Sequence, residues 1–110
     1  MVMTDMINQG DILKIERTNR PALVVSKNFF NNSGEIIACP IYDTGSESAL
    51  HQPILSENKR VSGIVHCEKL ALLNLTTRGY KKLDRVKIDD TINIADCIQA
   101  IFDYVERNHS

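Results

Sequence analysis

The sequence predicts a mainly β fold, a small and strongly bent antiparallel barrel with one α-helix packed on it at the C-terminal end. Three observations carry that prediction. Short apolar runs rich in β-branched residues recur along the chain, separated by Gly, Asn, Ser and Pro turn chemistry. The run Pro21 to Val25 is too short for a helix and reads as a central strand buried on both faces. Only after residue 88 does the pattern change to helical spacing, with Ile94, Ile98, Ile101, Phe102 and Val105 forming one stripe that faces the sheet.

Taken in order, residues 10–16 partly alternate and form the first strand, and Arg17-Thr18-Asn19 is a tight turn. Pro21 can stand only at the start of the strand it opens, because it has no N–H for the ladder. Lys27 to Gly34 is turn chemistry that can enclose one helical turn. A third strand, 35–41, stops near Pro40, and the polar loop 42–50 follows. His51 to Leu55 reads as a short strand and Ser56 to Arg60 as a charged turn. Val61 to Leu75 is long and β-prone, two strands or one strand bent at a bulge. Arg78 to Tyr80 turns the chain into a last strand over 82–88. Asp89 or Asp90 then caps a helix running to Arg107.

A chain of 110 residues is expected to form one domain, 1–110, with its core over 9–107. Hydrophobic content of 43% and charged content of 25% are ordinary for a soluble protein, and no apolar run approaches the ~20 residues of a membrane helix. Met1 to Gln9 lacks an export pattern. Cys39, Cys67 and Cys97 are widely spaced among apolar neighbours and read as buried thiols in a reducing cytoplasm, with no metal-ligand spacing. Neither a metal nor another cofactor is expected. The net charge of −1 hides an uneven distribution. Arg78, Lys81, Lys82, Arg85 and Lys87 face only Asp84 within ten residues, whereas Asp89, Asp90, Asp96, Asp103 and Glu106 face only Arg107 beyond. The basic stripe reads either as a phosphate footprint or as a solvated strand.

Gly10-Asp11-Ile12 opening a strand, then Arg20-Pro21-Ala22-Leu23-Val24-Val25-Ser26, Phe30-Asn31, and the strand into Cys39-Pro40-Ile41, resembles the MazF/PemK family of toxin endoribonucleases. Gly63-Ile64-Val65-His66-Cys67-Glu68 and Thr77-Arg78-Gly79 follow in the family's order, so the resemblance covers about residues 9–106. It implies an SH3-like barrel, a homodimer with the RNA groove across it, single-stranded RNA as substrate, and a cognate antitoxin as partner. It also implies sequence-selective cleavage without a metal. RNA's own 2′-hydroxyl can attack the adjacent phosphorus, given a base, an acid and cations for the charged intermediate.

Arg20 fits the charge-stabilising role, because a planar guanidinium can grip two phosphate oxygens. The family carries a functional arginine before this proline; on general grounds a charge at the entry to a core is equally a structural ion pair. His66 and Glu68 are the candidate proton-transfer pair. In a strand they share one face, about 6.6 Å apart, with Val65 and Cys67 turned to the core. Two outward polar residues on a surface strand are the plainer reading. In one branch of the family this stretch reads Arg-Cys-Asp, so His66 departs from the pattern while Glu68 keeps its carboxylate. Tyr42 stands where the family usually has threonine or serine, and either donates to phosphate, stacks on a base, or is simply a rim residue. Asp43 and Thr44 are candidates for reading base edges, and Arg78, Lys81 and Lys82 for holding phosphates. His51 reads as a structural strand residue and His109 as a frayed terminus.

The turn Arg17-Thr18-Asn19 is several residues shorter than the family's loop before Arg-Pro. That shortening implies a more open groove, altered specificity, or binding without cutting. The alternative to a nuclease is therefore a non-cleaving toxin-fold protein that binds RNA, an antitoxin or, like the CcdB toxins, a topoisomerase. The polar end Val105 to Ser110 argues against the last, and the absence of tryptophan against an SH3-like adaptor with an aromatic peptide groove.

Overall fold

A computed structural model describes residues 6–103. Its elements are β1 (Asp11–Ile15), β2 (Ala22–Val24), α1 (Asn28–Asn31), β3 (Glu35–Tyr42), β4 (His51–Leu55), β5 (Ser62–His66), β6 (Ala71–Asn74), β7 (Tyr80–Arg85) and α2 (Ile88–Ile101). The strands form one curled antiparallel sheet in the order β4-β5-β3-β2-β1-β7, with β6 also paired to β3. The fold is mainly β, a half-barrel with a C-terminal helix.

The apolar run at β2 has a direct cause. Leu23 joins a core with Ile12, Cys39, Ile41, Val65, Val86 and the helix residue Ile94. Ala22 and Val24 point the other way, into a second core with Leu13, Ile15, Ile36 and Ala38. A strand covered on both faces has no place for alternation with polar residues. Val61 to Leu75 resolves into two strands, β5 and β6, and residues 28–31 form the single helical turn.

Four boundaries differ from the sequence reading. β3 runs through Pro40 to Tyr42 rather than stopping. Ile41 N–H donates to the Pro21 carbonyl, so the imide nitrogen of Pro40 faces the other edge. There β6 pairs only as far as Ala38 and β5 begins at Ile41, which leaves no acceptor deprived. The last strand starts at Tyr80 and ends at Arg85. Helix α2 begins at Ile88 after Lys87, with no side-chain cap; Asp89 and Asp90 lie inside its first turn, favourable to the helix dipole but not as caps. Of the expected stripe, Ile94 is buried and Ile98 packs on the core, but Ile101 and Phe102 are exposed. The second half of the helix leaves the sheet over an apolar groove of about 540 Å³ lined by Phe29, Phe30, Leu70, Ile98 and Phe102. Val105, the helix end at Arg107, and His109 lie outside the described residues. Cys39 and Cys67 are buried as expected, whereas Cys97 is half-buried. No helix among the described residues is long and apolar enough to cross a membrane.

The curl is held by Asp84, the lone acid of the basic stripe. Its carboxylate accepts from Ser56 Oγ at 2.5 Å, from the backbone and side chain of Asn58 at 3.1 and 2.9 Å, and from the Arg85 N–H at 2.8 Å. Desolvation pushes its pKa up, but these donors outweigh it and hold the carboxyl well below the usual range. The β4–β5 turn is thereby fastened to β7. A second constraint is Gly63, where a β-carbon would lie 2.6 Å from the Tyr42 carbonyl oxygen and 2.7 Å from Ile41 Cγ2. Gly63→Ala is expected to lower stability by about 1–3 kcal/mol in urea denaturation, by forcing β3 and β5 apart; an unchanged midpoint would show that the two strands have room to yield.

Candidate functional site

Because β5 lies between β3 and β4, residues on its upper end are flanked from both sides. His51 of β4 pairs directly with His66, and Tyr42 of β3 pairs with Ile64 two residues away. The His66 ring consequently lies between two others, 4.0 Å from the Tyr42 ring and 4.1 Å from that of His51, with centroids measured. The Arg20 guanidinium sits over Tyr42, 3.9 Å from the ring centre, and Lys69 donates to the Tyr42 hydroxyl at 3.1 Å. At the far end His51 Nε2 lies 3.0 Å from Glu68 Oε2. Arg20, Tyr42, His66, His51 and Glu68 thus form one continuous chain of contacts. Arg20 is exposed, and among the described residues no carboxylate pairs with it.

The loop after β3 fixes the protons. The Thr44 carbonyl accepts from His66 Nε2 at 3.0 Å, and the Ser46 carbonyl from His51 Nδ1 at 2.8 Å. A carbonyl only accepts, so each of those nitrogens carries hydrogen. His66 Nδ1 is left as a buried nitrogen with no partner. His51 Nε2 faces the Glu68 carboxylate, so the ring has an acceptor at each nitrogen, an arrangement that favours its protonated form. Its pKa is accordingly raised, first by the Glu68 bond and then by the Ser46 carbonyl, while the bond to His51 lowers that of Glu68. Gly45 makes the loop's approach possible, since a β-carbon there would stand 3.0 Å from His66 Nε2 and 3.3 Å from His51 Nδ1.

Several expected placements change. His66 is only 7% exposed, not an outward strand residue. Glu68 lies beyond the end of β5 in the following turn and bonds to His51, not to His66. Val65 and Cys67 do face the core. Asp43 and Thr44 are exposed, and Thr44 meets the cluster through its carbonyl. The basic stripe is partly structural. Arg78 donates to the Glu16 carbonyl at 2.9 Å, and Lys82 pairs with buried Asp11 at 3.2 Å, while Lys81 remains exposed. Sequence reasoning missed His51 and Lys69. For His51 the signal was present: a hairpin folded about the turn at 56–60 sets residue 51 opposite residue 66. For Lys69, in an irregular turn, there was none. One ligating atom from each of His51, His66 and Glu68 lies within 4.8 Å of the others, a grouping that spacing along the chain does not show.

The family described as "PemK-like, MazF-like toxin of type II toxin-antitoxin system" matches residues 4–102. The chain belongs to this family. Solved structures agree in fold. MazF in a MazE–MazF crystal structure from Deinococcus radiodurans superposes with a TM-score of 0.80 at 21% identity, covering 90% of this chain and 98% of that one. An endoribonuclease from Mycobacterial species gives 0.76 at 16% identity, covering 92% and 95%. An endoribonuclease in complex with its cognate antitoxin, also mycobacterial, gives 0.74 at 16% identity, covering 87% and 94%. No curated protein matches.

The His51–Glu68 pair of this MazF-like chain has a defined pH window. A raised His51 pKa stabilises the fold fully below the unfolded histidine value of about 6.5, and that contribution is lost as pH rises through the folded value. A lowered Glu68 pKa stabilises above the unfolded glutamate value of about 4.3 and is lost as pH falls through the folded one. In an NMR titration the His51 midpoint is expected above 6.5, moving down in Glu68→Gln; a midpoint indifferent to that substitution would break the assignment.

Proposed function

We propose that this chain is a metal-independent, sequence-selective endoribonuclease that cleaves single-stranded RNA through attack of the RNA's own 2′-hydroxyl. Family membership supports the class of activity. The observation that carries the reading is the exposed Arg20 guanidinium, without a carboxylate partner among the described residues and held on Tyr42 at one end of a contact chain that continues through His66 and His51 to Glu68. Arg20 would grip the scissile phosphate and stabilise the charge that builds there. His66 Nδ1 would take the hydroxyl proton, and His51, kept charged by Glu68, would supply one to the leaving oxygen. Tyr42 and Lys69 would align the phosphate.

A groove of about 230 Å³ beside Arg20, lined by Thr18, Asn19, Pro40, Lys69 and Leu73, has the size and mixed character for an unpaired base. Asp43 and Thr44 would read base edges from the opposite side, and Arg78, Lys81 and Lys82 are proposed as the phosphate track, with Lys81 the freest of them. As in the MazE–MazF complexes, an antitoxin would bind the chain, and two copies would pair to form the full RNA groove. The three free cysteines fit a reducing cytoplasm.

One observation favours a second reading, binding without cleavage: His66 Nδ1 is closed off from solvent and the imidazoles are satisfied on their loop side. A single assay separates the two. Wild-type protein incubated with a long RNA in EDTA is expected to leave new ends at a recurring short motif, and Arg20→Ala to lower that rate about 10²–10³-fold while far-UV circular dichroism stays unchanged. His51→Gln is expected to cost about 10²-fold or more. RNA that is bound but uncut by the wild type would favour the second reading.

A further inference from the structure

We propose that His51, His66 and Glu68 form a binding site for a first-row divalent cation of the zinc class, one ion per chain. Nothing in the proposed cleavage requires it, and the inference stands whether or not RNA is cut. The donor set is the first support. Two imidazoles and one carboxylate are a zinc set that leaves a fourth position for water, and here one donor atom from each lies within 4.8 Å of the other two.

The second support is the hydrogen bonding behind the rings. A ligating histidine almost always donates its other ring N–H to a carbonyl or carboxylate, which fixes the tautomer and aims the free lone pair. Both rings here are held that way, His66 Nε2 on the Thr44 carbonyl and His51 Nδ1 on the Ser46 carbonyl. The two nitrogens so used lie together against the loop, within reach of a β-carbon at Gly45. The remaining nitrogens, His66 Nδ1 and His51 Nε2, are the ones the loop leaves free, and Glu68 Oε2 stands 3.0 Å from the second of them.

The third support is the unpartnered His66 Nδ1, a buried lone pair in a residue more than nine-tenths covered. Such a group costs stability unless something fills it, and no donor among the described residues does. Zinc bonds of 2.0–2.1 Å to nitrogen set donor atoms about 3.3 Å apart, so the cluster must contract. The mobile partner is Glu68, 36% exposed in a turn beyond the strand end. The ion would replace the hydrogen now shared between His51 Nε2 and Glu68, and so silence any proton transfer there. The nearby thiols are poor competitors, since Cys39 and Cys67 are fully buried in the apolar core.

The test is titration of the full-length, EDTA-stripped protein with Co²⁺ and Zn²⁺. Calorimetry is expected to give one site per chain, and Co²⁺ to give visible d–d bands of a low-coordinate nitrogen–oxygen site without a thiolate charge-transfer band. His51→Asn and Glu68→Gln, each checked by circular dichroism, are expected to weaken binding by at least about tenfold. Binding of undiminished strength in both variants, a thiolate band, or no saturable binding overturns the site. Absence of RNA cleavage by the metal-free wild type, with one Zn²⁺ still bound per chain on titration, would overturn the nuclease reading and uphold the metal site.

Discussion

Two backbone carbonyls govern the cluster at the sheet's edge. Thr44 and Ser46 each take one ring hydrogen, and in doing so decide which nitrogens of His66 and His51 are left free of the loop. Without that clamp either ring could flip, and the identity of donor and acceptor would be lost. The clamp depends on Gly45 being small and on β3 continuing past Pro40, so that the loop starts beside β5 rather than a turn earlier. It also depends on the β4–β5 hairpin keeping its register, which Asp84 secures at the far end by fastening the turn to β7. A carboxylate in a basic stripe is therefore as important to the site's geometry as any residue within it.

The sheet and its helix were legible because burial on both faces leaves an unambiguous signature. The run Ala22-Leu23-Val24 has no polar position since both sides of β2 are core. The boundaries that moved lie where local chemistry competes with tertiary context. Pro40 looks like a stop in isolation, but at a change of partner strand its missing N–H costs nothing. Asp89 and Asp90 look like caps, but the helix starts two or three residues earlier, with Val86 buried in the core and Lys87 at the cap position.

The site was less legible, for a reason that is geometric. Reading His66 and Glu68 as one face of one strand assumes that the strand continues, and it ends at His66. The carboxylate then finds a partner on the neighbouring strand. Pairing across strands is invisible to spacing along the chain unless the turn that fixes the register is folded on paper first. Arg20, just before β2, and Tyr42, at the end of β3, are also far apart in sequence, yet each was identifiable alone, the first by the proline that follows it and the second by its place after Pro40-Ile41. The cations of β7 illustrate the converse. Charge counting makes Arg78 and Lys82 candidates for holding phosphate, but does not show that each also makes a structural bond, Arg78 to the Glu16 carbonyl and Lys82 to buried Asp11.

The same geometry constrains what kind of chemistry the edge can support. His51 has an acceptor at each ring nitrogen and His66 at Nε2 alone, so of the two stacked rings His51 is the one placed to carry charge; two imidazolium rings at 4.1 Å would repel. A cation that takes both lone pairs must expel the proton from His51 and release Glu68 from its bond, so proton transfer and metal binding are mutually exclusive uses of the same three side chains. Arg20 stands outside that competition, since it touches the cluster only through the face of Tyr42. The phosphate contact and the proton chemistry proposed above thus fall to different side chains, and a change at His51 or Glu68 leaves the Arg20–Tyr42 contact in place.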